Sequence, residues 1–206
     1  TLVTPPFFRN PAILAKQIAT LDHISGGRAI VGLGAGWFEA EFRGTGSPFP
    51  ALGERMKALE ETAILLRRLF SEERVTFQGR HFSVSEAWCE PKPLRRTPIL
   101  IGGAGEKVLL RIAAEHADIW NNLAVFQAQL PAKIEALRRR CDDVKRDIAE
   151  IRISQQCVVV IEEDETENLI QALEAELLRR RFGPPIRLEV GDDMDDLTLD
   201  LLISEL

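Results

Sequence analysis

Glycines cluster at two places where an apolar run of the sequence ends. The first cluster is Gly34-Ala35-Gly36-Trp37 and the second is Gly102-Gly103-Ala104-Gly105. Because glycine has no side chain, another body can approach the backbone closely at such positions. The sequence leaves open whether that body is a neighbouring helix or a ligand.

The second cluster has the residue types of an anion site. It comes after an apolar strand-like run and directly before a predicted helix. Backbone N–H groups of such a turn, aided by the helix dipole, favour a phosphate, and Lys107 and Asn122 could add donors. The alternative is a tight strand-to-helix turn that only requires glycine. The spacing fits neither the Walker P-loop nor the G-x-G-x-x-G fingerprint closely.

The first cluster also allows two interpretations. Gly34 and Gly36 could permit close packing of a strand on a helix, with Trp37 in the core. Alternatively, the two glycines make room for a flat ring or its tail, and Trp37 forms the wall of a substrate pocket. We expect Glu39 and Glu41, which follow, to be solvated helix residues.

No metal or nucleophile site is predicted from the histidines. His23 falls near a helix end, His81 in a predicted hairpin and His116 on a helix, and none has a partner at a suitable spacing. We expect all three to be structural. The arginine runs 138–140 and 179–181 fall on predicted helices and are expected to be exposed.

Composition indicates an ordinary globular protein. The 206 residues are 45% hydrophobic and 28% charged, and the net charge of −6 argues against a nucleic-acid partner. No apolar run approaches the roughly 20 residues of a membrane span, and no signal peptide is recognised. Cys89, Cys141 and Cys157 are too widely spaced for a disulfide or metal pattern, so a reducing, cytoplasmic setting is expected.

Strands and helices are predicted to alternate along the chain. The first expected strand ends at about residue 4. The other five span residues 29–33, 99–103, 118–121, 151–161 and 199–203. The expected helices span residues 11–24, 52–70, 106–116, 134–148 and 166–181. A β-hairpin is predicted within residues 72–90, around Gln78-Gly79, and residues 182–196 are predicted to be irregular and acidic.

This alternation predicts parallel strands joined by helical crossovers. Six main strands suit an open doubly wound sheet, whereas a (β/α)8 barrel needs two more, which would lie before Thr1. In either fold, ligands bind at the carboxyl ends of the strands. Two further strand ends carry candidate residues, Val3-Thr4-Pro5 and Trp120-Asn121-Asn122.

Five segments together resemble the bacterial luciferase-like monooxygenase superfamily, and most closely its branch of oxidoreductases that use the deazaflavin coenzyme F420. The segments are 19-ATLDHISGGRAIVGLGAGWFEAEF-42, 53-GERMKALEE-61, 75-VTFQGRHF-82, 98-PILIGGAGEK-107 and 118-DIWN-121. They keep the order and spacing of the family from about Thr1 to Asn122. Beyond Asn122 the resemblance lies only in the topology.

The resemblance implies an incomplete TIM (β/α)8 barrel that forms a single domain over residues 1–206. On the family's register the chain begins at strand three and the hairpin is an insertion before strand five. Strands one and two would lie upstream of Thr1. The Asp/His-type pair that these strands carry in the family would be upstream too, so no catalytic residue is assigned.

The resemblance also implies a cofactor site. The family commonly has a non-proline cis peptide bond at the end of strand three, which by position would be Thr1–Leu2. Thr4 would face the ring or its ribityl chain, Trp37 would contact the substrate, and no metal is expected. The other implied cofactor-binding residues are Gly34, Ala35 and Gly36 along the ribityl chain, Gly102, Gly103 and Ala104 at the phosphate, and Asn121 or Asn122 closing on it.

The implied reaction is hydride transfer between coenzyme F420 and a small organic substrate. One alternative is an FMN-dependent luciferase-like monooxygenase, in which reduced flavin activates oxygen. A second alternative is a non-catalytic barrel that binds flavin or dimerises. The resemblance further implies a homodimer, and neither nucleic acid nor a membrane is expected as a partner.

Overall fold

The computed structural model describes residues 2–157, which form alternating strands and helices. The α-helices are α1 (Pro11–Ile24), α2 (Glu39–Gly44), α3 (Leu52–Ser71), α4 (Leu109–His116) and α5 (Leu130–Asp143). The β-strands are β1 (Val31–Leu33), β2 (Val75–Gln78), β3 (Ser83–Ala87), β4 (Ile99–Gly102), β5 (Ile119–Asn122) and β6 (Arg152–Gln155). Short 3₁₀ turns span Pro6–Phe8, Ala124–Gln129 and Ile148–Glu150. The helix, irregular segment and strand predicted beyond residue 157 lie outside the described residues.

The main sheet is parallel and its strands follow the chain order. β1 pairs with β4, β4 with β5, and β5 with β6. Thr4 forms a parallel bridge to Leu33 at the edge of β1 that does not pair with β4. A doubly wound sheet reverses its strand order at a switch point, whereas a barrel keeps consecutive strands adjacent. The sheet is therefore an arc of a (β/α)8 barrel, as the resemblance implies.

The two faces of this sheet differ. Alternate residues of β1, β4 and β5, which include Leu33, Ile101 and Trp120, share one hydrophobic core with α1, α3, α4 and α5. The residues between them point to the opposite face, because side chains alternate along a strand. That inner face carries Gly32, Gly34, Leu100, Gly102, Ile119, Asn121, Arg152 and Ser154.

Helix α1 begins as predicted and leaves several of its large aliphatic side chains exposed. The side chain of Asn10 accepts a hydrogen bond from the amide of Ala12 at 2.9 Å, and Pro11 takes the first position of the helix. The buried residues are Pro11, Leu14, Ala15, Ala19 and Asp22. Three of the aliphatic residues that mark the helix in the sequence, Ile13, Leu21 and Ile24, are exposed. The inward face therefore combines Leu14 with the small residues Ala15 and Ala19.

Two helices have boundaries that differ from the predicted ones. The helix expected from residue 106 starts at Leu109, and residues 106–108 form a turn before it. The helix expected over residues 134–148 starts at Leu130 and ends at Asp143, and Lys145 has a φ of 57°. A positive φ interrupts a right-handed helix, so Val144 and Ile148 reach the core from outside α5.

Strands β2 and β3 form a two-stranded antiparallel sheet that is separate from the main sheet. The predicted hairpin is therefore present, with a longer connection than expected at residues 79–82. The reason lies in α3, where the buried carboxylate of Glu61 accepts hydrogen bonds from the amides of Arg80, His81 and Phe82 at 2.8–3.1 Å. The connection wraps around this carboxylate instead of closing as a two-residue turn.

Within residues 2–157, none of the helices combines the length and the apolar character that crossing a membrane requires.

Candidate functional site

Four chain segments meet at one rim of the main sheet. Because all its strands are parallel, the segments that follow them leave from the same edge. These segments begin at Pro5, Gly34, Gly103 and Leu123. The two glycine clusters of the sequence therefore lie at the same rim, together with the N-terminal ends of α4 and α5.

The glycine turn between β4 and α4 offers unused backbone donors. In the described part of the chain, no acceptor takes the amide hydrogens of Ala104, Gly105, Glu106 or Lys107. Gly105, Glu106 and Lys107 are exposed to solvent. Unpaired amides at the start of a helix attract anions, because the helix dipole adds a partial positive charge there. This turn has the donor set of an oxyanion site.

Two glycines that were predicted to bind phosphate have other roles in the turn. Gly102 is the last residue of β4 and pairs with Asn121, and the amide of Gly103 donates to the Asn121 carbonyl at 3.0 Å. The Gly103 carbonyl accepts a hydrogen bond from the indole of Trp120 at 2.7 Å. Gly103 also has a φ of 136°, and a Cβ there would lie 2.4 Å from Leu109 Cδ1. The two glycines shape the turn, while the unused donors begin at Ala104.

One valine fills the space beside two of the predicted site glycines. A Cβ on Gly34 would lie 2.4 Å from Val3 Cγ2, and one on Gly102 would lie 3.1 Å from Val3 Cγ1. The non-proline cis peptide bond joins Leu2 and Val3, one residue beyond the predicted position, and Thr1 lies outside the described residues. Gly34 and Gly102 thus make room for Val3 on the inner face of the sheet.

The remainder of the first glycine cluster divides between core and surface. Ala35 belongs to the hydrophobic core, and Gly36 has a φ of 78° and would place a Cβ 2.5 Å from the Phe42 ring. Trp37, by contrast, is 70% exposed at the rim, with its ring 5.4 Å from that of Phe38. The predicted pocket wall is therefore an accessible aromatic surface.

Thr4 is buried, and its groups are engaged within the protein. Its amide donates to the Gly32 carbonyl at 2.8 Å, and its carbonyl accepts from the Gly34 amide at 3.3 Å. The hydroxyl accepts a hydrogen bond from Arg9 Nη1 at 3.3 Å. Arg9 is exposed and therefore brings a positive charge to the rim beside Thr4.

The two asparagines at the end of β5 point to opposite faces. Asn121 lies on the inner face, and its amide donates to Ser154 Oγ on β6 at 2.9 Å. Asn122 is completely buried on the helix side, where its amide donates to Gln155 and to the Phe126 carbonyl. Of the two, Asn121 is the one on the side of the sheet that carries Gly34 and Gly102.

A buried lysine adjoins the glycine turn and was not singled out from the sequence. Lys133, in the first turns of α5, is 8% exposed, and its Nζ donates to Glu106 Oε1 at 2.8 Å. It also lies 5.1 Å from the centroid of the Phe126 ring. Arg140, two turns further along the same face of α5, donates to the Glu106 carbonyl at 3.2 Å. No sequence signal marks this contact, because it joins segments 27 residues apart.

The histidines lie away from the glycine turn or within packed contacts. His23 is 2.8 Å from the Lys92 carbonyl, and His81 is 3.0 Å from Glu54. His116 comes within 4.8 Å of Glu60 and Glu115, a group that could hold a metal, at the opposite rim of the sheet. Arg111 Nη1 already bonds both carboxylates at 2.8–2.9 Å and supplies positive charge there.

A phosphate-bearing flavin fits the residues at the rim. The turn from Ala104 to Lys107 supplies amide donors, and Lys107 adds a positive charge. The exposed ring of Trp37 lies on the same rim and provides an apolar surface. This combination of anion donors and an aromatic wall is typical of cofactor pockets, which are mainly apolar with a few placed polar groups.

The sequence of this chain is similar to those of known oxidoreductases. A sequence profile described as luciferase-like monooxygenase matches residues 1–185. An F420-dependent glucose-6-phosphate dehydrogenase from Intrasporangium calvum is 34% identical over an alignment of 165 residues that covers 75% of this chain and 49% of that protein. An FMNH(2)-dependent dimethylsulfone monooxygenase from Pseudomonas putida is 27% identical over an alignment of 176 residues that covers 83% of this chain and 46% of that protein.

The solved structures give the same fold. An F420-dependent secondary alcohol dehydrogenase, in complex with an F420-acetone adduct, superposes with a TM-score of 0.75 and 25% identity. The match covers 100% of this chain and 61% of that one. The chain therefore spans about half the length of the curated relatives and somewhat more of the structural one.

Proposed function

The chain belongs to the luciferase-like monooxygenase family, and on that premise we propose that it binds coenzyme F420 and acts as an oxidoreductase on a small organic substrate. Relatives named as F420-dependent dehydrogenases support the choice of cofactor. The observation that carries the proposal is the turn from Ala104 to Lys107, whose unused amides lie at the same rim as Trp37.

The residues of the chain have defined tasks in this proposal. The amides of Ala104 to Lys107 bind the phosphate at the end of the ribityl chain, and Lys107 adds charge. Asn121 borders the ribityl chain on the inner side, and Val3 supports the ring from the sheet. Thr4 pairs with Leu33 and points to the helix side, so it holds the edge of β1 beside the cofactor. Trp37 forms one wall of the substrate pocket and limits the access of water. When bound, the deazaflavin supplies the hydride chemistry, and the protein orients the two reactants.

Cofactor titration tests the proposal directly. Purified chain is titrated with F420 and with FMN, and the quenching of cofactor fluorescence gives both dissociation constants. We expect F420 to bind at least about tenfold more tightly than FMN, a difference of about 1.4 kcal/mol. Comparable or tighter binding of FMN contradicts the proposed cofactor.

An FMN-dependent monooxygenase is the second candidate, and its support is the match to the dimethylsulfone monooxygenases. Binding of FMN alone, followed by oxygen consumption with reduced flavin, identifies this activity. Binding of neither cofactor favours the third interpretation, a non-catalytic protein of the same fold.

The first substrates to test are those that the relatives' names suggest. Glucose 6-phosphate and a secondary alcohol are each added to the F420-loaded chain, and loss of the visible absorbance of oxidised F420 reports hydride transfer. Turnover with either substrate supports a dehydrogenase. Binding of F420 without turnover of either leaves a different substrate to be found by the same assay.

A further inference from the structure

The carboxylate of Glu106 poses an electrostatic problem for the proposed phosphate site. Glu106 belongs to the turn whose amides are unused, so its negative charge would repel a phosphate bound there. Its carboxylate could also turn back onto those amides, because acidic side chains are favoured at the start of a helix. Either effect would oppose binding of an anionic ligand.

Lys133 counters both effects through one contact. Its Nζ donates to Glu106 Oε1 at 2.8 Å, which pairs the charges and holds the carboxylate toward α5. Glu106 is also held at its backbone, where its carbonyl accepts from Arg140 Nε at 3.2 Å. The hydrogen bond and the charge of Lys133 keep the pKa of Glu106 below its usual value, so the carboxylate is ionised at neutral pH.

The burial of Lys133 indicates that this contact is part of the fold. An ammonium group is costly to bury unless it is paired. Lys133 is 8% exposed, and among the described residues Glu106 is the carboxylate that it bonds. The ring of Phe126, 5.1 Å from Nζ, provides a further favourable surface for the positive charge. The lysine is therefore fixed beside the turn before any ligand arrives.

We propose that Lys133 is a positioning residue of the cofactor site, which neutralises and restrains Glu106 so that the phosphate of a flavin cofactor can bind the Ala104–Lys107 turn. This inference rests on the proposed function. It adds a residue from α5 to a site otherwise built from the ends of the strands. Lys133 acts through Glu106 and does not itself touch the phosphate.

The test compares ligands with and without phosphate. Dissociation constants are measured for F420 and for its precursor FO, which has the same ring and ribityl chain but no phosphate tail, and for FMN and riboflavin. The variants are Lys133→Gln, Glu106→Gln and the double variant. Arg138→Gln is the matched control, because it removes a charge from the same helix at an exposed position paired with Glu135.

We expect Lys133→Gln to weaken F420 or FMN binding roughly fivefold at low salt and to leave FO or riboflavin binding unchanged. Glu106→Gln should bind the phosphorylated ligand as tightly as wild type or more tightly, and the double variant should regain wild-type affinity. Lys133→Arg, which keeps the charge, should also retain it. Arg138→Gln should match wild type throughout.

Any one of four results would overturn the inference. If Lys133→Gln weakened the binding of phosphorylated and phosphate-free ligands equally, the Lys133–Glu106 contact would have a purely structural role. The contact would also be purely structural if Glu106→Gln weakened binding of the phosphorylated ligand, or if the double variant failed to regain wild-type affinity. Unchanged affinity in Lys133→Gln would exclude any role. If the wild-type chain binds none of the four ligands, the proposed function itself fails, and that outcome is seen before any variant is made.

Discussion

Val3 explains two glycines that the sequence presents as ligand contacts. Its side chain occupies the positions where a Cβ of Gly34 or Gly102 would lie. The glycines remain necessary, but the reason is that a side chain at either position would crowd Val3. A pattern of glycines in a sequence reports close approach, and only the structure identifies which group approaches.

Gly103 is the residue of the turn whose backbone conformation is most restrictive. Gly103→Ala places a Cβ at a φ of 136° and 2.4 Å from Leu109, so we expect a loss of about 1–3 kcal/mol in unfolding free energy. Chemical denaturation measures it. Gly53→Ala is the control, because its Cβ meets nothing within 4 Å and helix α3 should gain slightly in stability. A Gly103→Ala variant as stable as wild type would contradict the assigned role.

Asp118 links the stability of the chain to pH. Burial opposes its ionisation, but hydrogen bonds from Arg67 and the Ile99 amide, with the charge of Arg96, hold its pKa below the usual value. A depressed folded-state pKa contributes stability that is complete above the unfolded-state value of about 4 and is lost as the pH falls through the folded-state value.

We therefore expect Asp118→Asn to lower the unfolding free energy by about 1–2 kcal/mol near neutral pH, because it removes charged hydrogen bonds. The difference from wild type should shrink as the pH falls below about 4. Urea unfolding across this range measures it. The exposed residue Asp142 provides the control as Asp142→Asn, and a constant difference at every pH would refute the assignment.

The hairpin depends on one carboxylate of α3. Glu61→Gln replaces one acceptor oxygen by an NH2 group that faces the amides of Arg80, His81 and Phe82. We expect a loss of about 2 kcal/mol in unfolding free energy, measured by denaturation. Glu73→Gln, an exposed substitution near the end of the same helix, should have almost no effect. Equal stabilities of the two variants would show that the hairpin is held by other contacts.

At the scale of elements, local signals in the sequence predict where elements occur better than where they end. The strands at β1, β4 and β5 were predicted because buried parallel strands are short apolar runs. The end of α5 was missed, since the amphipathic pattern continues through Ile148 although Lys145 turns the chain. The large aliphatic residues of α1 do not by themselves mark its inward face, since Leu14 is buried with Ala15 and Ala19 whereas Ile13, Leu21 and Ile24 are exposed.

The candidate site was predictable only in part. Its rim follows from strand order, so the positions of the two glycine clusters could be inferred. The partners Val3 and Lys133 could not, because tertiary contacts between distant segments bring them to the turn. The choice between Asn121 and Asn122 also required the structure, since a one-residue change of register reverses the face.

At the scale of the whole molecule, the outward face of α1 is a candidate contact for the proposed homodimer. Ile13, Leu21 and Ile24 are about half or more exposed there. We expect wild-type chain to self-associate in sedimentation velocity and Leu21→Lys/Ile24→Lys to shift toward monomer, because buried apolar area drives association. Leu52→Lys, equally exposed on α3, is the control. A monomeric wild type would contradict the proposal.

The register of the main sheet also has a kinetic consequence. Pairing of Leu100 with Ile119 joins residues 19 apart, whereas pairing of Val31 with Ile99 must bring together residues 68 apart, across α2, α3 and the hairpin. The longer loop costs about 1 kcal/mol more to close. We expect hydrogen exchange during refolding to protect β4 and β5 before β1, so that the Ala104–Lys107 turn forms first and the Gly34–Trp37 segment at the same rim forms last.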